Sequence, residues 1–436
     1  MTGLNATVWP RSAELNSEGA LTIAGHAASD LIAEFGSPLF VLDEADFRSR
    51  CRDLRTAFTG ASVYYAGKAF LCTTVARWVM AEGLGLDVCT GGELGVAQRA
   101  GFPPDRVTFH GNNKSVEELE RAVAFGVGHI AVDSDEEISR LSAAAASAGR
   151  RQRVYLRVTP GVEAHTHEFI STGHEDTKFG FSIASGAALA GVRAILAERS
   201  LELDGVHCHI GSQIFDTEGF AVATHRMVEF LAAIRDEHGL QLPELNLGGG
   251  FGIAYTSDDD PLAVAEMAER MRTIVAKECA SAGLDVPHLA VEPGRAIAGP
   301  STVTLYTVGT VKRLPGVRTY VSVDGGMSDN IRTSLYDATY TAALASRSSS
   351  AEDAIVTVCG KHCESGDIVV RDVALPSDIA AGDVIAVPAS GAYHRSMASN
   401  YNHVPRPAVV AVDDARARVI VRRETEDDLF ALDVND

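Results

Sequence analysis

The sequence has a deficit of basic residues and contains no apolar run of the length that a membrane-spanning helix needs. Its 436 residues include 38 Lys and Arg against 58 Asp and Glu, a formal net charge of −20 at pH 7. Such a surface repels phosphate backbones and anionic lipid, which argues against nucleic-acid and membrane partners. The seven cysteines are odd in number and irregularly spaced, so they do not form a disulfide framework. The start lacks a basic patch followed by an apolar core, so we expect no secretion signal and predict a cytoplasmic protein.

The chain is too long for one ordinary domain, and its first part has a regular strand-helix alternation. Short apolar segments recur between Pro38 and Gly299, and a longer stretch of helical period follows each of them. Near-continuous apolar strands alternating with helices predict a parallel sheet, and eight units predict a closed (β/α)8 barrel with its active site at the C-terminal strand ends. The eight segments are VYYAG (63–67), LDVCTG (86–91), VTFHG (107–111), HIAVDS (129–134), VYLRVTP (154–160), LDGVHCHIGS (203–212), ELNLGGG (244–250) and HLAVEPG (288–294).

After Gly299 the pattern changes to strands with turn residues and little helix between them, which predicts an all-β domain. The N-terminal segment contains one strand-like piece, LTIAG (21–25), and is expected to join it. We therefore predict a barrel over residues 38–299 and a β domain formed by residues 1–37 and 300–436. The β-domain segments are TVTLYTVGTV (302–311), TYVSVDGG (319–326), IVTVCG (355–360), DVIAVPASG (383–391), PAVVAV (407–412) and RVIVRR (418–423).

Four barrel strands end in residues that can bind a ligand or take part in catalysis. Lys68 ends the first strand, where a neutral amine could form a Schiff base. The seventh strand ends in the glycine run 248–252, whose amides can approach a phosphate without a Cβ in the way. Glu292 ends the eighth strand, and a carboxylate there can keep a pyridine nitrogen protonated. His209 ends the sixth strand, where its ring could stack on a flat cofactor. An amine for a Schiff base, free amides for a phosphate and a carboxylate for a pyridine nitrogen together suit pyridoxal phosphate (PLP).

These motifs resemble the fold-type III PLP-dependent decarboxylases, a family similar to alanine racemase that acts on ornithine, arginine or diaminopimelate. The resemblance runs in order over nearly the whole chain, and many members carry Asn where this sequence has Phe70. The matching motifs are YAGKAF (65–70), DVCTGGEL (87–94), HGNNK (110–114), HIGSQ (209–213), GGGFG (248–252), EPGR (292–295), CESGD (363–367) and GAY (391–393).

The resemblance implies a PLP-dependent carboxy-lyase with Lys68 as the Schiff-base lysine and Glu292 as the partner of the ring nitrogen. It also implies that Cys363 is the general acid that reprotonates the decarboxylated carbon, presented from the partner subunit of a homodimer with composite active sites. The remaining residues expected to bind the cofactor are His209, Ser212, Gly250, Gly294, Arg295 and Tyr393.

Substrate choice is expected to depend on groups that bind the far end of the amino acid. Arg332 and Arg295 offer two guanidinium groups that can grip a carboxylate, and Glu364 can accept from an ammonium group. With Tyr336 and Tyr393, they suit a substrate that carries a second amino-acid head. That requirement favours meso-2,6-diaminopimelate, decarboxylated at its D-centre to L-lysine, over ornithine, lysine or arginine.

Several alternatives remain open at this stage. A relative that acts on another amino acid and a catalytically inactive binding homologue are both conceivable, although intact Lys68, Glu292 and Cys363 argue against the second. A metal-dependent hydrolase built on His207-x-His209 would leave those residues without a role. Two further groups lack the paired spacing of a zinc site, so we predict no metal. They are His165, His167 and His174, in a stretch (161–180) expected to be a lid or binding loop, and Cys359, His362 and Cys363.

Overall fold

The structure is a computed structural model that describes residues 4–161 and 177–434. The chain divides into two compact units. One, the barrel unit, comprises Arg50–Gly252 and Pro261–Gly294. The other, the β unit, comprises Met1–Ser49, Ile253–Asp260 and Arg295–Asp436. Among the described residues, no helix is both long enough and apolar enough to cross a membrane.

Strands and helices account for most of the described chain. The strands are β1 (Ala13–Leu15), β2 (Leu21–Ile23), β3 (His26–Ala27), β4 (Leu39–Asp43), β5 (Ser62–Ala66), β6 (Gly85–Val88), β7 (Val107–Phe109), β8 (His129–Val132), β9 (Gln152–Thr159), β10 (Phe181–Ser182), β11 (Leu201–His207), β12 (Glu244–Asn246), β13 (His288–Val291), β14 (Thr302–Leu314), β15 (Arg318–Val323), β16 (Ala343–Leu344), β17 (Asp353–Cys359), β18 (Ile368–Pro376), β19 (Val384–Val387), β20 (Ala408–Val412) and β21 (Ala417–Val421). The helices are α1 (Ala28–Phe35), α2 (Glu44–Ala57), α3 (Thr73–Ala81), α4 (Gly91–Ala100), α5 (Val116–Phe125), α6 (Asp135–Ser147), α7 (Ala187–Ala197), α8 (Glu218–His238), α9 (Val264–Ala282), α10 (Arg295–Ala298), α11 (Arg332–Tyr336) and α12 (Glu426–Phe430).

The barrel unit contains a closed parallel barrel of eight strands in the order β5-β6-β7-β8-β9-β11-β12-β13, and β13 pairs with β5 to close it. All eight predicted segments supply these strands, so the predicted (β/α)8 barrel is confirmed. Local signals set the helices between them. Helix α5 begins at a capping box made by Ser115 and Glu118, and it ends at Gly126 in the left-handed conformation.

The β unit is dominated by one mixed sheet in the order β18-β17-β15-β14-β4-β20-β21, with β19 paired to β14 and β16 paired to β19. All six predicted C-terminal segments contain strands of this sheet, which confirms the mostly β second domain. The N-terminal β4 joins it, parallel to β20 and antiparallel to β14. Strands β1 to β3 form a small antiparallel sheet beside it. Apolar side chains from the N-terminal segment and the sheet, including Trp9, Val41 and Val410, pack into one core.

Candidate active site

The barrel unit places four predicted site residues just beyond the C-terminal ends of their strands. Lys68 follows β5, His209 follows β11, Gly250 follows β12 and Glu292 follows β13. The C-terminal ends of parallel barrel strands lie on one face, which in this architecture carries the active site. The structure therefore brings these four residues to one end of the barrel.

Glu292 is 6% exposed and is held by three polar side chains. Asn246 Nδ2 donates to Glu292 Oε1 at 2.7 Å, His110 Nε2 lies 2.8 Å from the same oxygen, and His207 Nε2 lies 3.3 Å from Oε2. Burial alone raises the pKa of Glu292, but the neighbouring His110 and His207 outweigh it and hold the pKa well below its ordinary value. The carboxylate is therefore ionised, as a partner of a protonated pyridine nitrogen must be.

The glycine run after β12 allows three strand ends to approach one another closely. A Cβ on Gly249 would lie 2.2 Å from the carbonyl oxygen of Glu292, so only glycine fits there. Gly250 has a φ of +104°, and a Cβ on it would lie 2.4 Å from the carbonyl oxygen of Gly211. These contacts set the backbone on which Glu292 and the loop after β11 are positioned.

His209 is anchored to the same run, because its Nδ1 accepts a hydrogen bond from the amide of Gly249 at 3.2 Å. Burial, and then the positive charge of Lys68, lower the pKa of His209 well below its ordinary value. The imidazole is therefore neutral and suits packing against an aromatic ring. Ser212 lies three residues further along this loop and is half-buried.

Lys68 is exposed, and the backbone before it is fixed on both sides. The amide of Gly67 donates to the carbonyl of Asp87 at 2.9 Å, and the amide of Ala66 donates to the carbonyl of Pro293 at 3.1 Å. Gly294 packs so closely that a Cβ on it would lie 2.9 Å from the carbonyl oxygen of Ala66. The ends of the first and eighth strands are thus joined, which places Lys68 and Glu292 on neighbouring strands.

This donor set fits PLP. The cofactor needs a primary amine for its aldehyde, a carboxylate for its ring nitrogen and unobstructed amides for its phosphate. The barrel end offers Lys68, the ionised Glu292 and the glycine run 248–250. We conclude that the barrel unit carries the residues that would hold PLP.

The β unit gathers a separate group of arginines and tyrosines. Arg332 is 4% exposed, and its Nη1 donates to the hydroxyl of Tyr340. Its guanidinium lies 4.9 Å from the ring centre of Tyr255. Arg295 Nη1 donates to the Tyr255 hydroxyl, and its guanidinium lies 4.7 Å from the ring centre of Tyr393. Tyr255 therefore links the two arginines that were predicted to bind substrate.

Polar groups without protein partners lie close to this group. His394 packs edge-on against Tyr340 at 5.4 Å, and burial, helped by the charge of Arg332, lowers the pKa of His394 to about 3. Its Nε2, and both amide atoms of Asn330, have no hydrogen-bond partner among residues 4–161 and 177–434. Tyr336 lies beside Arg332, 6.0 Å from its guanidinium. Unpaired buried polar groups cost free energy, so they favour a polar ligand.

Cys363 and Glu364 lie on the exposed loop between β17 and β18 of the β unit. The amide of Cys363 donates to Asn402 Oδ1 at 3.1 Å. Asp367 Oδ2 accepts from the amide of His362 at 2.8 Å and lies 3.0 Å from its Nδ1. The loop is thus fixed from both sides while the Cys363 and Glu364 side chains point outward to solvent.

Several functional candidates were missed from the sequence. His110 and Asn246 hold Glu292, and both are polar residues at the end of apolar strands, a signal that could have identified them. Tyr255, Tyr340 and His394 surround the arginine pair, and nothing in their local sequence marks them. The predicted lid, with His165, His167 and His174, lies largely outside the described residues.

The sequence family of the chain agrees with this site. The family model described as pyridoxal-dependent decarboxylase, pyridoxal binding domain, matches residues 44–299. Diaminopimelate decarboxylase from Mycobacterium tuberculosis is 57% identical over 440 residues, which cover 99% of this chain and 98% of that protein. The Bacillus subtilis diaminopimelate decarboxylase is 47% identical, with 96% of each chain covered.

The fold agrees as well. The crystal structure of diaminopimelate decarboxylase from M. jannaschii in co-complex with L-lysine has a TM-score of 0.91 and 32% identity, with 98% of each chain covered. The protein is therefore a member of the PLP-dependent decarboxylase family, and within it belongs to the branch of the diaminopimelate decarboxylases.

Proposed function

We propose that this protein decarboxylates meso-2,6-diaminopimelate at its D-centre and releases L-lysine and CO2, a step of lysine biosynthesis that uses PLP. The relatives that match over their full length are diaminopimelate decarboxylases, and the M. jannaschii structure contains L-lysine. The proposal is thus supported by the names of the full-length relatives and by the L-lysine bound in a similar structure.

One observation carries the choice of substrate: Arg332 is a buried guanidinium with no carboxylate partner in the described parts of the chain. A buried charge without a counter-ion is costly, so such a group suits an anionic ligand. Arg295 lies across Tyr255 from it, and guanidinium groups bind carboxylates in fork geometry. The carboxylate of a distal amino-acid head is the ligand that this pair fits, and ornithine and arginine lack it.

The residues of the chain have separate roles in binding the cofactor, binding the substrate and donating the proton. PLP, when bound, supplies a protonated ring that accepts the electron pair left behind when CO2 departs. Lys68 would hold the cofactor through its amine, Glu292 would pair with the ring nitrogen and His209 would pack against the ring. Arg332, Arg295 and Glu364 hold the distal head, so that only the D-centre reacts. Cys363 Sγ delivers the proton that replaces the lost carboxylate.

The proposed assembly is a homodimer with composite sites. The Cys363–Glu364 loop of one subunit would serve the barrel of the other. Its side chains are exposed on the single chain while its backbone is fixed, which is what presentation to a second subunit requires. A two-fold dimer supplies both sites at once.

Substrate competition tests the function. Purified holoenzyme is given meso-diaminopimelate, ornithine, lysine or arginine, and CO2 release is followed for each, with Lys68→Ala as the matched inactive control. We expect release from diaminopimelate alone, with stoichiometric L-lysine. Faster release from any of the other three amino acids would overturn the proposed substrate.

A further inference from the structure

The partner of Glu292 is unusual, because it is a histidine placed between two buried carboxylates. His110 Nε2 lies 2.8 Å from Glu292 Oε1 and 3.8 Å from Asp87 Oδ1. All three side chains are at most 6% exposed. The backbone amide of His110 donates to the carbonyl of Val88 at 2.8 Å, so the ring is fixed at the end of its strand.

We propose that His110 is a positioning residue that acts as an imidazolium between Asp87 and Glu292 and keeps Glu292 ionised toward the ring nitrogen of PLP. The inference rests on the proposed function and goes beyond it, since it assigns a role to a residue that would touch neither substrate nor cofactor. One imidazolium between two carboxylates leaves at most one net negative charge on the three groups, so burial of the Glu292 carboxylate costs less free energy than it would without His110.

The neighbouring charges agree with this assignment. Burial lowers the pKa of His110, but Glu292 and then Asp87 outweigh it, and the pKa is raised above its ordinary value. Burial raises the pKa of Asp87, which favours its neutral form and so one negative charge on the two carboxylates together. The charge of Arg157 on β9 lowers the pKa of His110, but by less than either carboxylate raises it.

His207 provides the contrast within the same site. Its ring packs at 4.6 Å from that of His110, and its Nε2 lies 3.3 Å from Glu292 Oε2. Burial lowers the pKa of His207 to about 4, so it donates to Glu292 as a neutral group. Two histidines thus contact one carboxylate, one with a charge and one without it.

The first test reads protonation directly and needs no turnover. Holoenzyme labelled with ¹⁵N-histidine is examined by NMR between pH 6 and 9, and the signals are assigned with the His110→Gln and His207→Gln variants. We expect His110 to have two protonated ring nitrogens at pH 7.5 and His207 to be neutral. A neutral His110 at pH 7.5 would overturn the proposal even in a fully active decarboxylase, which separates its failure from that of the proposed function.

The second test is a double-mutant cycle. Gln in place of His110 keeps a donor but removes the charge, so the pKa of Glu292 should rise through loss of an adjacent opposite charge. The acid limb of kcat should therefore move to higher pH, with KM within about threefold of the parent. In a Glu292→Gln background, His110→Gln should add less than about twofold, since its route of action is already gone.

Matched controls complete the design. His207→Gln replaces one neutral donor with another, so it should move the acid limb less than His110→Gln does. Melting temperature and PLP content confirm folding, and the shorter His110→Asn replaces His110→Gln if the latter does not fold. Losses that simply add in the Glu292→Gln background, or an acid limb that does not move, would refute the role. A further result would also refute the role: one equivalent of a divalent metal bound to the parent enzyme and absent from His110→Gln. His110, His207 and Glu292 lie close enough together to bind such an ion.

Discussion

Arg332 shows how a single buried charge constrains function. The Tyr340 hydroxyl accepts one of its hydrogen bonds, and the faces of Tyr255 and Tyr340 lie within 6 Å of its guanidinium. Cation–π contacts and one neutral hydrogen bond stabilise the charge only in part. The tyrosines therefore orient the guanidinium, and in the proposed function a substrate carboxylate would neutralise its charge.

We predict that Arg332→Ala and Glu364→Ala lose turnover of meso-diaminopimelate and still bind PLP, because both belong to the group proposed to bind the distal head and not to the proposed cofactor site. Loss of a charge-assisted hydrogen bond costs about 1.5–3 kcal/mol, so kcat/KM should fall about ten- to a hundredfold or more. Steady-state kinetics and the visible absorbance of bound PLP measure the two effects. Activity within twofold of the parent in both variants would remove the basis for this substrate.

Lys68 gives a prediction that is independent of substrate. Purified protein should be yellow, and borohydride reduction should attach the cofactor irreversibly to the peptide that contains Lys68, because only a Schiff base is reduced to a stable amine. Mass spectrometry locates the label. Lys114 is a useful comparison, since it is buried and paired with Glu137 at 2.7 Å and should stay unlabelled. A label on another lysine contradicts the assignment.

At the scale of elements, the turn after β12 depends on close backbone contact. The Cβ of an alanine at position 249 would meet a backbone oxygen at 2.2 Å, and a backbone cannot rotate away as a side chain does. Any relief must move the end of β13, and with it Glu292. Cofactor binding and the stability of the turn are therefore coupled.

We predict that Gly249→Ala weakens PLP binding at least tenfold and destabilises the protein by about 1–3 kcal/mol, the usual cost of overpacking. Titration of the apoprotein with PLP and thermal melting measure both. Gly92→Ala is the matched control, because Gly92 is exposed in α4. A Cβ on Gly92 would have its nearest neighbour, Thr90 Oγ1, at 3.6 Å. A Gly249→Ala variant that binds PLP as tightly as Gly92→Ala would refute the coupling.

Sequence patterns predicted most strands because buried parallel strands are apolar on both faces and their ends carry distinctive residues. The β18 strand (Ile368–Pro376) was missed because it follows the CESGD motif directly, without a turn signal between them. The partner of β4 could not be predicted either, since LFVLD is buried throughout and suits either domain. Its pairing with β14 and β20 is set by contacts hundreds of residues away.

The same distinction applies to the site. Residues at strand ends, such as Lys68 and Glu292, could be located because position in the barrel dictates where they lie. Tyr255 and Tyr340 could not, because they meet Arg332 only through the tertiary structure of the β unit. Protonation states are harder still to predict from sequence, because His110 and His207 are both buried and differ only in their carboxylate neighbours. His110 lies 2.8 Å from Glu292 and also faces Asp87, whereas His207 lies 3.3 Å from Glu292.

At the scale of the whole molecule, the exposed Cys363 needs a site in which to act. A thiol on a solvent-exposed loop has no substrate carbon beside it to which it could donate a proton. The backbone that holds the loop is anchored by Asn402 and Asp367, so it is a fixed surface that a second subunit can use. An isologous dimer would give each barrel the loop of the other chain.

Complementation tests this arrangement. Lys68→Ala and Cys363→Ala homodimers should each be nearly inactive, since each lacks one group in both sites. After they are mixed, dissociated and reassociated, heterodimers contain one intact site, because both lesions fall together in the other. Random pairing makes about half of the dimers heterodimers with one working site of two, so activity should approach roughly a quarter of the parent value. If subunit exchange is verified by mass and activity stays at the level of the separate variants, Lys68 and Cys363 must serve the same site from one chain.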